Sequence, residues 1–162
     1  FDLETHTFSP FAKMSVTRYG HVAVHYRDTV VILGGVGHKD SEQIDRETKE
    51  WVPFTSFNDE HSFFGCAVIE DKIYVVGGGN SDSRLRSVEI FCGTLWALLP
   101  SANLSIARNM CAAVSFNSTL VVLGGDQLTV AQYNPATQAW NKKGSYPTMS
   151  TTRRDRLGAV SF

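Results

Sequence analysis

The sequence predicts an all-β fold assembled from repeated four-stranded units. Three observations carry that prediction. An apolar run closed by a glycine doublet occurs as Val31-Ile32-Leu33-Gly34-Gly35, Tyr74-Val75-Val76-Gly77-Gly78 and Val121-Val122-Leu123-Gly124-Gly125, at spacings of 43 and 47 residues. A lone tryptophan follows each doublet: Trp51, Trp96 and Trp140, at spacings of 45 and 44. Sixteen residues ahead of each doublet stand Arg18, His61 and Arg108. Markers of several kinds held in one register at this period are the sign of a repeat architecture.

Each element of the unit has a local reason. His21–Tyr26 reads as a first strand, and the polar pair Arg27-Asp28 as its turn. Thr29–Leu33 is a continuous β-branched run, the pattern of a strand covered on both faces. The doublet ends it, because glycine alone takes positive φ and close backbone approach at little cost. A polar loop leads to a third strand, such as Ser87–Phe91, and Asn134-Pro135-Ala136-Thr137 has the chemistry of a reversal. The fourth strand carries the tryptophan. No helical pattern exceeds about one turn. Four short strands per period make the blade of a β-propeller.

The register runs on at both ends. Phe1–Phe8 matches Ile44–Trp51 and Tyr133–Trp140, and Ala113–Phe116 recurs as Ala159–Phe162, which sets Arg154 opposite Arg108. The expected division is the end of a blade at 1–17, blades at 18–60, 61–107 and 108–153, and the first strand of another at 154–162. The 162 residues thus read as about three and a half blades, expected to be part of a larger ring.

These residues resemble kelch repeats. The resemblance rests on an Arg opening the first strand, a double Gly closing the second, an aromatic residue in the third and a Trp in the fourth. Units one and three match through Arg18, Gly34-Gly35 and Trp51, and through Arg108, Gly124-Gly125, Tyr133 and Trp140. Unit two departs with His61 in the Arg slot and a shortened turn at Phe91-Cys92-Gly93, and the leading part-unit has Phe8 in the Trp place. The resemblance, closest in pattern to the kelch domain of BTB-kelch proteins, implies a kelch-type β-propeller that closes with six blades. It also implies scaffold roles. The Trp and aromatic residues would wedge between blades, and the Arg would reach into the blade junction to donate to loop carbonyls.

Composition excludes several classes of function. Fifteen Lys and Arg against sixteen Asp and Glu give a net charge of −1, which offers no footprint for nucleic acid or an anionic membrane. No apolar run is long enough to span a bilayer. Cys66, Cys92 and Cys111 are sparse and show no CxxC spacing, which argues against a disulfide framework and a zinc site and for a reducing, cytoplasmic setting. Asn103-Leu104-Ser105 and Asn117-Ser118-Thr119 have the form of glycosylation sequons, which matter only in a secreted protein. His21 and His25 share a strand face but stand about 13 Å apart, too far to hold one ion. The glycines are followed by loop and strand, not by the helix a phosphate site requires. No nucleophile elbow is present. No catalytic residue, metal or cofactor is expected.

Binding is expected on the loops, which vary over a rigid base of strands. The loops after the doublets and around the Arg slot converge on one face, and in kelch adaptors the resemblance places partner contacts there. By register the slot after the Arg holds Tyr19, Ser62, Asn109 and Asp155, and the next holds Gly20, Phe63, Met110 and Arg156. The slot after the doublet holds Val36, Gly79 and Asp126. Aromatic and Arg side chains dominate interface energetics, which favours Tyr19, Phe63 and Arg156. The resemblance implies a substrate-recognition module of a cullin-RING ubiquitin ligase adaptor that binds a protein or peptide. Its alternatives are a scaffold binding actin or another filament, and part of a kelch-type oxidase or sugar mutarotase.

Overall fold

The computed structural model describes residues 2–125 and 127–141. Among them are twelve strands, in three antiparallel sheets of four, and a single 3-10 turn at Pro100–Ala102. Blade 1 contains β1 (Val22–Tyr26), β2 (Thr29–Leu33), β3 (Ser41–Ile44) and β4 (Trp51–Phe54). Blade 2 contains β5 (Gly65–Ile69), β6 (Lys72–Val76), β7 (Val88–Phe91) and β8 (Trp96–Leu98). Blade 3 contains β9 (Cys111–Phe116), β10 (Thr119–Gly124), β11 (Ala131–Asn134) and β12 (Ala139–Trp140). Every sheet runs in chain order. The architecture is that of consecutive propeller blades. Asp126, Asp155 and Arg156, and the first strand expected at 154–162, lie outside the described residues.

The turns repeat as closely as the strands. The first turn of each blade has two residues with positive φ: Arg27 and Asp28, Glu70 and Asp71, Asn117 and Ser118. That is the backbone of a two-residue hairpin turn whose twist matches its strands. Asp45 Oδ1 accepts the N–H groups of Glu47 and Thr48, and Asn134 Oδ1 those of Ala136 and Thr137. Asp2 Oδ1 does the same for Glu4 and Thr5. This self-bonded turn is why Asp or Asn recurs at that place.

The core lies between blades. Tyr26, Val31 and Leu33 of blade 1 pack on Ile73, Val75, Phe91 and Trp96 of blade 2. The other face of blade 2, with Tyr74, Val76, Val88 and Ile90, packs on Leu120, Val122 and Tyr133 of blade 3. Both faces of blade 2 are therefore covered, which is what its unbroken apolar runs require. The first strands approach one another most closely. A methyl group on Gly65 of β5 would stand 2.9 Å from Cβ of Ala113 on β9.

The doublets answer to two neighbours. The carbonyl of His61, from the following blade, would lie 2.5 Å from a Cβ on Gly34, and that of Arg108 would lie 2.7 Å from one on Gly77. The second glycine instead faces its own blade: Ser62 O at Gly78 and Asn109 O at Gly125, each 2.6 Å from the added carbon. No side chain fits between these carbonyls, and the residues have positive φ besides.

The tryptophans also repeat one bond. Trp51, Trp96 and Trp140 each donate from Nε1, at 2.9 Å, to the carbonyls of Ala12, Thr55 and Ala102, which belong to the segments leading into their own blades. Trp96 packs against Phe57 and Phe91, with ring centroids at 4.4 and 5.4 Å.

The arginine slot donates to loop-end carbonyls, as expected, and to side chains as well. Arg18 donates to the carbonyls of Gly34 and Asp40 and to Glu42, and forms an ion pair with Asp40. Arg108 donates to Gly124 O, Thr129 O and Thr129 Oγ1. Both side chains pin the loop between the second and third strands of their own blade. The first acceptors a guanidinium fork meets are the two ends of that loop.

Candidate partner-binding face

The loops that precede the first strand and those that follow the second meet at one end of the blades. There the backbone makes a stepped ladder from blade to blade. Phe63 donates its N–H to Gly20 O, and Met110 donates its N–H to Phe63 O, both at 2.7 Å. Gly20, Phe63 and Met110 share a left-handed backbone, with φ of 66°, 54° and 56°. Bonds in the opposite direction close each junction: Gly35 N–H to His61 O at 2.9 Å, and Gly78 N–H to Arg108 O at 2.7 Å.

Side chains ride on this ladder. Tyr19 is 64% exposed, and its carbonyl accepts the N–H of Val36 at 3.0 Å. Its ring meets that of Phe63 edge-on, with centroids 6.3 Å apart. Phe63 is half-buried, lying over Gly20. Asn109 is half-buried, and its Oδ1 accepts the N–H of Met110 at 2.9 Å.

Ser62 and Gly79 are placed below this surface. They exchange two backbone hydrogen bonds of 2.9 Å, and Ser62 Oγ donates to Gly79 O at 3.0 Å. Both are buried. Tyr19 and Phe63 thus meet through their rings, Val36 is tied to Tyr19 through its backbone, and Asn109 caps the N–H of Met110, while Ser62 and Gly79 supply the ledge beside them. Arg86 donates from Nε to Leu104 O at 2.7 Å.

Two features of the face were not anticipated. Asn80 closes the 80–83 loop by accepting the N–H groups of Asp82 and Ser83, and it donates to Asp59 at 2.8 Å. This places exposed Asp59 and Asp82 beside the blade 2 ledge. Behind the face, acidic residues meet the slot. Burial alone would raise the carboxyl groups of Glu42 and Asp40. Hydrogen bonds to Glu42 from Ser15 and Arg18, and to Asp40 from Arg18 and His38, outweigh burial and hold both below the ordinary carboxylate range. The acids escaped sequence reasoning because Glu42 lies 24 residues after its Arg. Among the described residues no group of three His, Cys, Asp or Glu is placed to hold a metal ion.

The Kelch motif family model matches residues 61–92, which run from the slot of blade 2 through its third strand. The chain carries kelch repeats. It is 27% identical over 161 residues to a kelch repeat-containing protein of Caenorhabditis elegans, kel-10, covering 91% of this chain and 27% of that one. A kelch repeat and BTB domain-containing protein of the same nematode is 26% identical over 148 residues, covering 83% of this chain and 25% of the relative. Beta-scruin of Limulus polyphemus is 28% identical over 127 residues, covering 71% of this chain and 14% of that one. The chain therefore spans about a quarter or less of each of these relatives. Kelch repeats imply a propeller for protein–protein interaction. No helix among the described residues is long and apolar enough to cross a membrane.

Proposed function

We propose that this kelch domain recognises a protein partner through the loop face of Tyr19, Val36, Phe63 and Asn109, acting as the substrate-recognition part of a cytoplasmic cullin-RING ubiquitin ligase adaptor. Asp126, Asp155 and Arg156 belong to the same proposal by their place in the repeat. The observation that carries it is the exposed Tyr19 ring set edge-on to Phe63, above a backbone ladder that holds both in place. An aromatic pair on a fixed base gives apolar contact area with little ordering cost on binding. A short polar peptide suits this face: the aromatic rings supply contact, and Asn109 supplies a hydrogen-bonding group. The BTB-containing relative supports the adaptor role. The chain would recruit its partner and perform no bond chemistry.

The test is affinity capture from cell extract with mass spectrometry, comparing the native protein with a Tyr19→Ala, Phe63→Ala variant of unchanged melting temperature. Proteins captured by the native form and lost with the variant support the site. Equal capture removes it, and capture without any cullin-dependent ubiquitination of the captured proteins removes the adaptor role.

A further inference from the structure

Blade 2 differs from its neighbours in the residue that pins its loop. Arg18 donates to Gly34 O at 3.0 Å and to Glu42 Oε1 at 2.9 Å. His61 takes the same place, with Nδ1 3.1 Å from Gly77 O and Nε2 2.9 Å from Glu89 Oε1. Glu89 and Glu42 are equivalent, since each lies two residues before the partner of its blade's tryptophan, Phe91 opposite Trp96 and Ile44 opposite Trp51. The backbone N–H and side-chain amide of Asn58 donate to Glu89 Oε2 at 3.3 and 2.7 Å, which favours the ionised carboxylate.

Both ring nitrogens of His61 therefore face acceptors. A carbonyl cannot donate, an ionised carboxylate cannot donate, and a neutral imidazole has only one N–H. We infer that the fold holds His61 as an imidazolium that stands in for a guanidinium, and that the blade 2 loop is clamped only while the ring carries both protons.

The site offers no substitute for the lost proton. His61 and Glu89 are fully buried. The rings of Phe57 and Phe64 flank the imidazole edge-on, with centroids at 5.1 and 5.9 Å, and carry no charge. Among the described contacts Glu89 is the titratable group against the ring. Deprotonation leaves either Gly77 O or the Glu89 carboxylate facing a lone pair inside a buried site. A guanidinium offers N–H groups to both acceptors at once, so the loops pinned by Arg18 and Arg108 face no such choice.

In acid the clamp fails through its carboxylate. Burial raises the Glu89 carboxyl, but hydrogen bonds from His61 and Asn58 and the charge on His61 outweigh it and hold that carboxyl below the ordinary range.

Nitrogen-15 NMR of the ring in the intact protein, from about pH 5.5 to about pH 8.5, tests the inference directly. Two protonated nitrogens at about pH 6 are expected, and Glu89→Gln should leave one. A singly protonated ring at about pH 6 overturns the inference. The readout involves no partner, so the inference stands or falls apart from the loop-face site.

Discussion

The ring of Phe63 covers Gly20 so closely that a methyl group on Gly20 would stand 3.0 Å from Phe63 Cζ. The same two residues share the 2.7 Å bond from Phe63 N–H to Gly20 O. Gly20→Ala meets both the ring and a φ of +66° that an alanine rarely adopts. The expected loss is about 1–3 kcal/mol, read by denaturant unfolding. Because the clash pushes on Phe63, the variant should also lose partner capture.

Ser41 should be replaceable with profit. Its hydroxyl is buried without a hydrogen-bond partner. In blade 2 the equivalent residue is Val88: Ser41 pairs with Leu33 at the end of the second strand as Val88 pairs with Val76. Val88 is fully buried. Ser41→Val removes the unpaired hydroxyl and adds apolar contact, for an expected gain of about 1–2 kcal/mol. A lower denaturation midpoint would contradict this.

Gly65→Ala isolates packing from backbone strain, since no positive φ is involved. The added carbon would stand 2.9 Å from Ala113 Cβ and 3.1 Å from Ala113 N. Two first strands would have to separate, which should destabilise the protein by about 1–3 kcal/mol in thermal or denaturant unfolding. Gly37→Ala is the contrast: nothing lies within 4 Å of the added carbon, so only its φ of +75° carries a penalty.

Acid should unfold the domain through its slot carboxylates. Glu42 and Glu89 are held below the ordinary carboxylate range when folded, so their stabilisation is complete above that range and is lost as the pH falls through their folded values. In Glu42→Gln the melting temperature should be lower at neutral pH and should depend less on pH in the acid range. Parallel acid curves for the two proteins would argue against this account.

The three cysteines should separate by reactivity. Burial pushes the Cys66 thiol well above its ordinary value, and Cys111 is raised for the same reason. Cys92 is exposed. A thiol reagent should modify Cys92 in the native protein and reach the other two only on unfolding. Labelling of Cys66 under native conditions would be the contrary result.

Much of the fold was legible because its markers answer to backbone demands that repeat. The doublets mark places where two carbonyls converge, Asp45 and Asn134 mark a turn that bonds to itself, and the tryptophans mark a fixed indole bond. The functional face was legible as a set of slots but not as a surface. Nothing in the chemistry of Ser62 shows that it lies against Gly79, or that Phe63 and Met110 accept a left-handed backbone. Those facts depend on residues of the neighbouring loop or blade. The carboxylates of the slot were hidden for a similar reason, since Glu42 and Glu89 approach Arg18 and His61 only after the third strand has folded back.

The junctions between blades are joined near the loop face by main-chain bonds from Gly35, Gly78, Phe63 and Met110 to carbonyls of the adjoining blade. They are made by main-chain atoms, whatever side chains occupy positions 19 and 36. Those two positions can exchange residues during descent without loosening the junctions. On the proposed function, a lineage could acquire new targets by rewriting a few letters on an unchanged frame.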